Sequence, residues 1–163
     1  MKETMNRYGA LLVLLLLVVL VGCEGNGTER SPAKYCFQVE NCTFSVGDDA
    51  DRVIASLGKA NHFSSAPSCA RVGTDELYVY NGFKITAHRD SERAEIIMIE
   101  LTNDTLSTPE GVRIGDSAER LTDVYGKGED FSGGIEYSRA NCILRFFLRE
   151  GRIIGIKYLK KVE

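Results

Sequence analysis

The 163-residue sequence contains few of the residues from which common active sites are built. Its two histidines, His62 and His88, accompany no G-x-S-x-G serine, no H-E-x-x-H motif and no matched cysteine motif. We interpret both as solvent-exposed side chains, with a general base as the alternative. The cysteines lack the C-x-x-C spacing of zinc sites, and no basic cluster accompanies the net charge of −3. These absences favour a non-enzymatic protein without metal or cofactor, and they argue against nucleic acid as a partner.

The sequence has one long apolar run, and that run is too short to favour a permanent transmembrane anchor. It extends from Ala10 to Val21 after a basic start and stops at Gly22-Cys23. Leu20, Val21, Gly22 and Cys23 resemble a bacterial lipobox, where a lipoprotein signal peptide is cleaved after diacylglycerol is attached to the cysteine. An ordinary signal peptide with an incidental cysteine is the alternative. The motif predicts that Cys23 carries lipid and begins the mature chain.

Three segments follow from this interpretation. Residues 1–22 are predicted to be a lipoprotein signal peptide, and residues 23–34 form a polar, flexible tether. Residues 35–163 have the length of a single globular domain. We therefore expect an extracytoplasmic protein that the lipid on Cys23 anchors to a bacterial cell membrane.

Four cysteines remain when the lipidated one is set aside, and an even number outside the cytosol predicts disulfides. Three pairings are possible. A predicted hairpin through Val39-Glu40-Asn41 favours Cys36 with Cys42, which leaves Cys69 with Cys142. A reactive or metal-binding thiol is the alternative.

One motif occurs twice at constant spacing. Residues 46–53 read Val-Gly-Asp-Asp-Ala-Asp-Arg-Val, and residues 114–121 read Ile-Gly-Asp-Ser-Ala-Glu-Arg-Leu. In each copy the aspartate after the glycine, Asp48 or Asp116, is the predicted N-cap that accepts hydrogen bonds from first-turn amides, and the acidic residue three positions later, Asp51 or Glu119, lies near the positive end of the helix dipole. Gly58 or Gly126 then stands where a C-cap is needed. The duplication predicts two helices of about ten residues. A calcium loop is the alternative for the first copy, but the bidentate glutamate and central glycine are missing.

Strand patterns follow each predicted helix. Asn81-Gly82 and Glu150-Gly151 are two-residue turn signals between segments that alternate apolar and polar residues. The predicted strands are 77–80, 83–88, 94–101, 135–137, 141–149 and 152–159. The sequence thus predicts an α+β fold of two tandem repeats, about 35–101 and 111–160. Each repeat would be a short capped helix followed by antiparallel β-hairpin strands packed on it.

This arrangement behind a lipobox resembles small bacterial envelope lipoproteins with tandem repeats of the beta-lactamase-inhibitor kind. A related single-repeat form occurs in a lipoprotein subunit of the outer-membrane barrel assembly machinery. Ser68-Cys69-Ala70, Tyr78-Val79-Tyr80 and Thr108-Pro109-Glu110-Gly111 also resemble an uncharacterised group of such lipoproteins. Each repeat here has one clear helix, whereas the inhibitor repeat has a helix-loop-helix. The resemblance implies that the protein binds another protein.

Four aromatic residues on predicted strands are candidates for a binding face: Tyr78, Tyr80, Phe147 and Tyr158. Core packing is their alternative role. We expect a membrane-anchored lipoprotein that binds another envelope or extracellular protein as an adaptor or inhibitor. The alternative is an envelope hydrolase or a small-ligand sensor, which requires a polar pocket between the two repeats.

Overall fold

Strands dominate residues 34–161, the part of the chain that the computed structural model describes. Strand accounts for 49% and helix for 12% of this part. The elements are β1 (Phe37–Val39), β2 (Cys42–Phe44), α1 (Ala50–Leu57), β3 (His62–Pro67), β4 (Thr74–Val79), β5 (Phe83–Arg89), β6 (Ala94–Leu101), α2 (Ala118–Tyr125), β7 (Glu129–Phe131), β8 (Gly134–Arg139), β9 (Cys142–Arg149) and β10 (Arg152–Lys160).

The predicted α+β fold of two helix-capped repeats is wrong. The described chain is mostly β, with an eight-stranded antiparallel sheet, a two-stranded sheet and two helices of eight residues each. The prediction gave the helices too large a part, because their capping signals are strong in the sequence. It also missed β3 and β7, which lie at the two edges of the large sheet.

The predicted signal peptide, the lipidation site at Cys23 and all but the last residue of the predicted tether lie outside the described residues. Within residues 34–161, no helix combines the length and the apolar character needed to cross a membrane.

The strand order of the large sheet is β3-β4-β5-β6-β10-β9-β8-β7. Its two halves join where β6 pairs with β10, with Ile99 opposite Tyr158. The predicted turns at Asn81-Gly82 and Glu150-Gly151 are confirmed, since they connect β4 to β5 and β9 to β10. Gly82 and Gly151 have φ of 85° and 72°, which side chains of other residues seldom adopt.

Both predicted helices are confirmed, each shorter than expected. Asp49 Oδ1 accepts a hydrogen bond from the Arg52 amide at 2.9 Å and caps α1, and Ser117 caps α2 in the same way. Each helix ends at a glycine with φ of 76°, whose N–H donates to a carbonyl of the last turn. The predicted N-caps, Asp48 and Asp116, are therefore wrong by one residue. Asp48 instead accepts a hydrogen bond from the Ser45 amide at 2.8 Å, and Asp116 accepts one from the Arg113 amide at 3.0 Å, so both carboxylates order the turn before the helix.

The core lies on one face of the large sheet, beneath the helices and the β1–β2 hairpin. Ile85, Ile99 and Tyr158 form part of one cross-strand row, and all three are fully buried. Phe37 of β1 packs on Tyr158, and Tyr125 of α2 packs on the aromatic rings of β8 and β9. From Phe83 to Ala87 in β5, buried and half-buried residues alternate as predicted, so one face of this strand is covered. The alternation ends at His88, which is buried although the pattern placed it on the exposed face.

Candidate protein-binding edge

The four aromatic residues predicted to form a binding face do not share one surface. Tyr158 is fully buried against Phe37, so it offers no area to a partner. Phe147 alternates with buried Phe146 and therefore lies on the opposite face of the sheet. Tyr78 and Tyr80 are half-buried on the face that carries the helices. Alternation along a strand identifies residues that share a face, but it does not say which face is covered.

Tyr78 and Tyr80 lie beside an exposed aromatic residue that sequence reasoning did not select. Phe63 of β3 pairs with Tyr78 across the two strands, and their ring centroids are 4.9 Å apart. Phe63 retains 52% exposure, whereas Tyr80 stacks on buried Phe83 at 4.9 Å. We call Phe63, Tyr78 and Tyr80 the aromatic edge.

A charged network fixes the aromatic edge to the rest of the fold. Glu76, which is 8% exposed, accepts hydrogen bonds from Arg89 Nε at 2.6 Å and from the Tyr78 hydroxyl at 2.9 Å. The Arg89 guanidinium also donates to both carboxylate oxygens of Asp51 in α1, at 2.6 and 3.1 Å. The contacts are bidentate, which gives the pair a defined orientation. The network therefore joins β4, β5 and α1, and Tyr78 connects it to the ring of Phe63.

The same network sets the protonation of the tyrosine. Burial, followed by the hydrogen bond to Glu76, raises the pKa of Tyr78 to about 12. The hydroxyl is therefore neutral at physiological pH and available as a donor to the buried carboxylate. The hydrogen bonds to Asp51 and Glu76 raise the pKa of Arg89 above its usual value, so the guanidinium keeps its charge.

Strand β3, which carries Phe63, is one of the two edges of the large sheet. All six of its residues are exposed, and its sequence His-Phe-Ser-Ser-Ala-Pro contains no acidic residue, lysine or arginine. It pairs with β4 on one side. The opposite edge, β7, has three residues and begins with Glu129 and Asp130. Charged, short edge strands resist pairing with another chain, so the two edges differ in their suitability for it.

The prediction of exposed histidines is confirmed for His62 and wrong for His88. His88 is buried, with Nδ1 2.8 Å from Asp75 Oδ1 and Nε2 3.0 Å from the Val72 carbonyl oxygen. Each ring nitrogen thus faces one oxygen atom. Because Val72 occupies Nε2, this histidine has no free nitrogen for general-base catalysis, and its contacts instead hold the loop between β3 and β4.

The carboxylate beside His88 belongs to the same local structure. Burial alone would raise the pKa of Asp75, but hydrogen bonds from His88 and Ser68 outweigh it and leave the pKa lowered. The charged carboxylate thus connects the loop that follows β3 with β4 and β5. A histidine and an aspartate in contact also occur in catalytic triads, but here their hydrogen bonds hold the loop between β3 and β4 in place.

All four cysteines among residues 34–161 are free thiols. The favoured local pairing fails because of strand register: Cys42 lies opposite Val39 across a two-residue turn, so Cys36 falls about 10 Å further along the hairpin. The other predicted pairing joins Cys69, in the loop after β3, to Cys142 on β9, and four strands (β4, β5, β6 and β10) lie between β3 and β9. Burial raises the pKa of Cys142 to about 12, so this thiol is a poor nucleophile.

Two surface cavities offer space for a ligand. One of about 380 Å³ lies between the β1–β2 turn and α1 and is lined by residues that include Glu40, Cys42 and Arg52. Another of about 660 Å³ lies between Val72 and the β5–β6 turn. Neither is lined by a histidine, and residues 34–161 contain no group of three or more His, Cys, Asp or Glu side chains placed to hold a metal ion.

No protein-family model matches this chain, and no curated protein or solved structure is significantly similar to it. The resemblance to repeats of the beta-lactamase-inhibitor kind therefore stays a prediction.

Proposed function

We propose that this protein is a lipid-anchored extracytoplasmic protein that binds another protein through its aromatic edge, without catalysing a reaction. The observation that carries the proposal is the half-exposed ring of Phe63, held against Tyr78 on an edge strand without charged residues.

An exposed aromatic ring on a fixed support is well suited to recognition. Complete burial of a phenylalanine side chain contributes about 1.5–3 kcal/mol, so covering the exposed half of Phe63 would contribute about 1 kcal/mol or more. Tyr78 is already held by its contacts with Phe63 and Glu76. Little side-chain freedom is then lost on binding, which favours a stable complex. Aromatic residues are enriched at the centres of protein interfaces for these reasons.

The N-terminal sequence supports a location at a membrane surface. Leu20, Val21, Gly22 and Cys23 have the lipobox pattern, and the polar residues after Cys23 can separate the folded part from a membrane surface. A partner would then be an envelope protein or an extracellular protein near that membrane. The mildly acidic net charge of −3 gives no reason to expect nucleic acid.

The proposal is tested by crosslinking in intact cells, followed by capture of the tagged full-length protein from solubilised membranes. Phe63→Ala should reduce recovery of a stoichiometric partner while the unfolding temperature stays close to that of the unsubstituted protein. Ile154→Ala is the matched control, since Ile154 is 46% exposed on β10 and lies outside the aromatic edge. Cys23→Ala tests whether the anchor contributes by placing the protein at the membrane.

Two results would contradict the proposal. The first is capture of the same partner at the same yield by the Phe63→Ala protein, which would remove the aromatic edge from the interface. The second is the absence of any stoichiometric protein when a known envelope complex is crosslinked efficiently in the same cells. That second result would favour a small ligand or an enzymatic role.

A further inference from the structure

Within residues 34–161, the large sheet ends at β3 and at β7, and the outer side of β3 is the longer of these two edges. β3 has six residues and β7 has three. In a strand paired on one side, every second residue directs its N–H and C=O away from the neighbouring strand. The outer side of β3 therefore presents backbone donors and acceptors along a length sufficient for pairing with another strand.

Side chains along β3 leave that edge accessible. Natural proteins protect edge strands with lysine, inward-pointing charges, proline or a covering segment. β7 has two acidic residues, whereas β3 has serine, alanine and phenylalanine between His62 and Pro67. The proline stands at the last position of the strand, where it restricts one end and leaves the central residues free.

We propose that the partner contributes an extended segment that pairs with β3 and adds a ninth strand to the large sheet. This inference rests on the proposed function and specifies how the aromatic edge is used. On the helix-bearing side, a residue of the added strand lies next to Phe63 and covers its exposed ring, so that residue is apolar. On the other side the added strand meets Ser64 and Ala66, which favours small, uncharged side chains.

A segment of another protein fits this edge better than a second copy of the chain. When β3 pairs antiparallel with β3 of a second copy, a two-fold axis relates the two strands. Residues directly opposite each other lie on the same face of the sheet, so the axis passes through a residue that pairs with its own copy. Centring on Ser64 places Phe63 opposite polar Ser65, and centring on Ser65 places it opposite Pro67, which has no N–H to donate to the other strand. Centring on Phe63 opposes the two rings but pairs only residues 62–64 of each β3. No register therefore both covers the ring with an apolar side chain and pairs most of the strand with its full set of hydrogen bonds. A different sequence can place an apolar residue there.

Proline substitutions at adjacent positions test the backbone contact. The N–H group of Ser64 points towards β4 and that of Ser65 points outwards, because Ser68, an even number of residues from Ser64, donates to the carbonyl oxygen of Gly73, which directly precedes β4. Proline at the outward position should leave the unfolding temperature nearly unchanged, because the β3–β4 bonds remain, and proline at the inward position should lower it. The outward variant should bind the purified partner from the crosslinking experiment about tenfold more weakly. Glu129→Pro, on the β7 edge, is the control and should leave binding unchanged.

Amide hydrogen exchange on the unsubstituted protein gives a second measurement, which decides the question if both proline variants unfold. Adding the purified partner should slow exchange at alternate amides of β3, while the amides of β7 exchange as before. Unchanged exchange along β3 in the complex would overturn the inference.

The outcomes separate this inference from the proposed function. If Phe63→Ala weakens binding and the folded outward proline variant does not, the aromatic edge binds through side chains alone, and strand addition is wrong. If neither change affects binding, the proposed function fails as well. A dimer of the purified protein that Phe63→Ala dissociates, measured by light scattering with no partner present, would identify a second copy as the occupant and overturn the inference.

Discussion

Replacing Tyr158 by phenylalanine should leave the stability of this protein unchanged or increase it. The side chain is fully buried, and its hydroxyl has no hydrogen-bond partner among residues 34–161. Its ring lies 6.0 Å from that of Phe37, and phenylalanine can keep this contact. Burial raises the pKa of the hydroxyl well above its usual value, so the substitution removes a neutral group.

The magnitude follows from the cost of burying an unpaired polar group. Burying such a group costs about 1–3 kcal/mol of folding free energy. Removing the hydroxyl recovers part of this cost, but it also removes the favourable dispersion contacts of the oxygen atom. Unfolding entropies of about 2.1 cal/mol/K per residue imply a shift of roughly 4 °C per kcal/mol for a folded part of this size. The expected change therefore runs from zero to a gain of about 10 °C.

Tyr137→Phe is the matched control. The Tyr137 hydroxyl donates to the Gly126 carbonyl oxygen at 2.9 Å, so its loss should cost about 0.5–1.5 kcal/mol. Urea unfolding followed by circular dichroism, together with calorimetry, measures both variants. Destabilisation of Tyr158→Phe by as much as Tyr137→Phe would refute the reasoning, because it would mean that the Tyr158 hydroxyl makes a hydrogen bond in solution.

The charged network, the thiols and the second half of the sheet supply three other tests. The hydrogen bond from Arg89 lowers the pKa of Asp51 from its usual 3.8. The contact therefore stabilises the folded protein above pH 3.8, and this stabilisation is lost as the pH falls through the lowered pKa. Arg89→Met should flatten the acid side of a plot of urea midpoint against pH, and an unchanged slope would contradict this. At pH 8, mass spectrometry should find that iodoacetamide modifies exposed Cys69 early and buried Cys142 only after unfolding; early modification of the buried thiol would contradict its raised pKa. Gly134→Ala should destabilise the protein by about 1–3 kcal/mol or more in urea unfolding, because the added carbon meets the backbone of β9, and near-neutral behaviour would disprove that contact.

The elements with strong local signals could be predicted from the sequence. The capping residues and Gly58 determine where α1 begins and ends, and they lie within ten positions of one another. The turns at Asn81-Gly82 and Glu150-Gly151 form for equally local reasons, since the glycine of each takes a positive φ. These contacts depend on near neighbours, so the sequence around them is sufficient.

The edge strands could not be predicted in the same way. An interior strand buries one face, which selects apolar residues at every second position, as in β5. β3 is exposed at all six positions and shows no such pattern. Its extended form is set by pairing with β4, which lies across a loop that the buried contacts of His88 hold. A prediction that omits β3 and β7 gives too few strands and too large a share of helix, which is why the predicted fold class is wrong.

The aromatic edge depends on the register between strands, and local sequence patterns do not contain this register. Tyr78 was selected from the sequence for its residue type, but its significance comes from Phe63, which lies beside it because residue 63 pairs with residue 78. A shift of one residue in that pairing would turn Phe63 to the other face of the sheet and away from Tyr78. Tyr158 shows the converse, since the register that aligns it with Ile99 buries it completely. Residue type therefore identified candidates for recognition, while pairing across the sheet decided which of them a partner can reach.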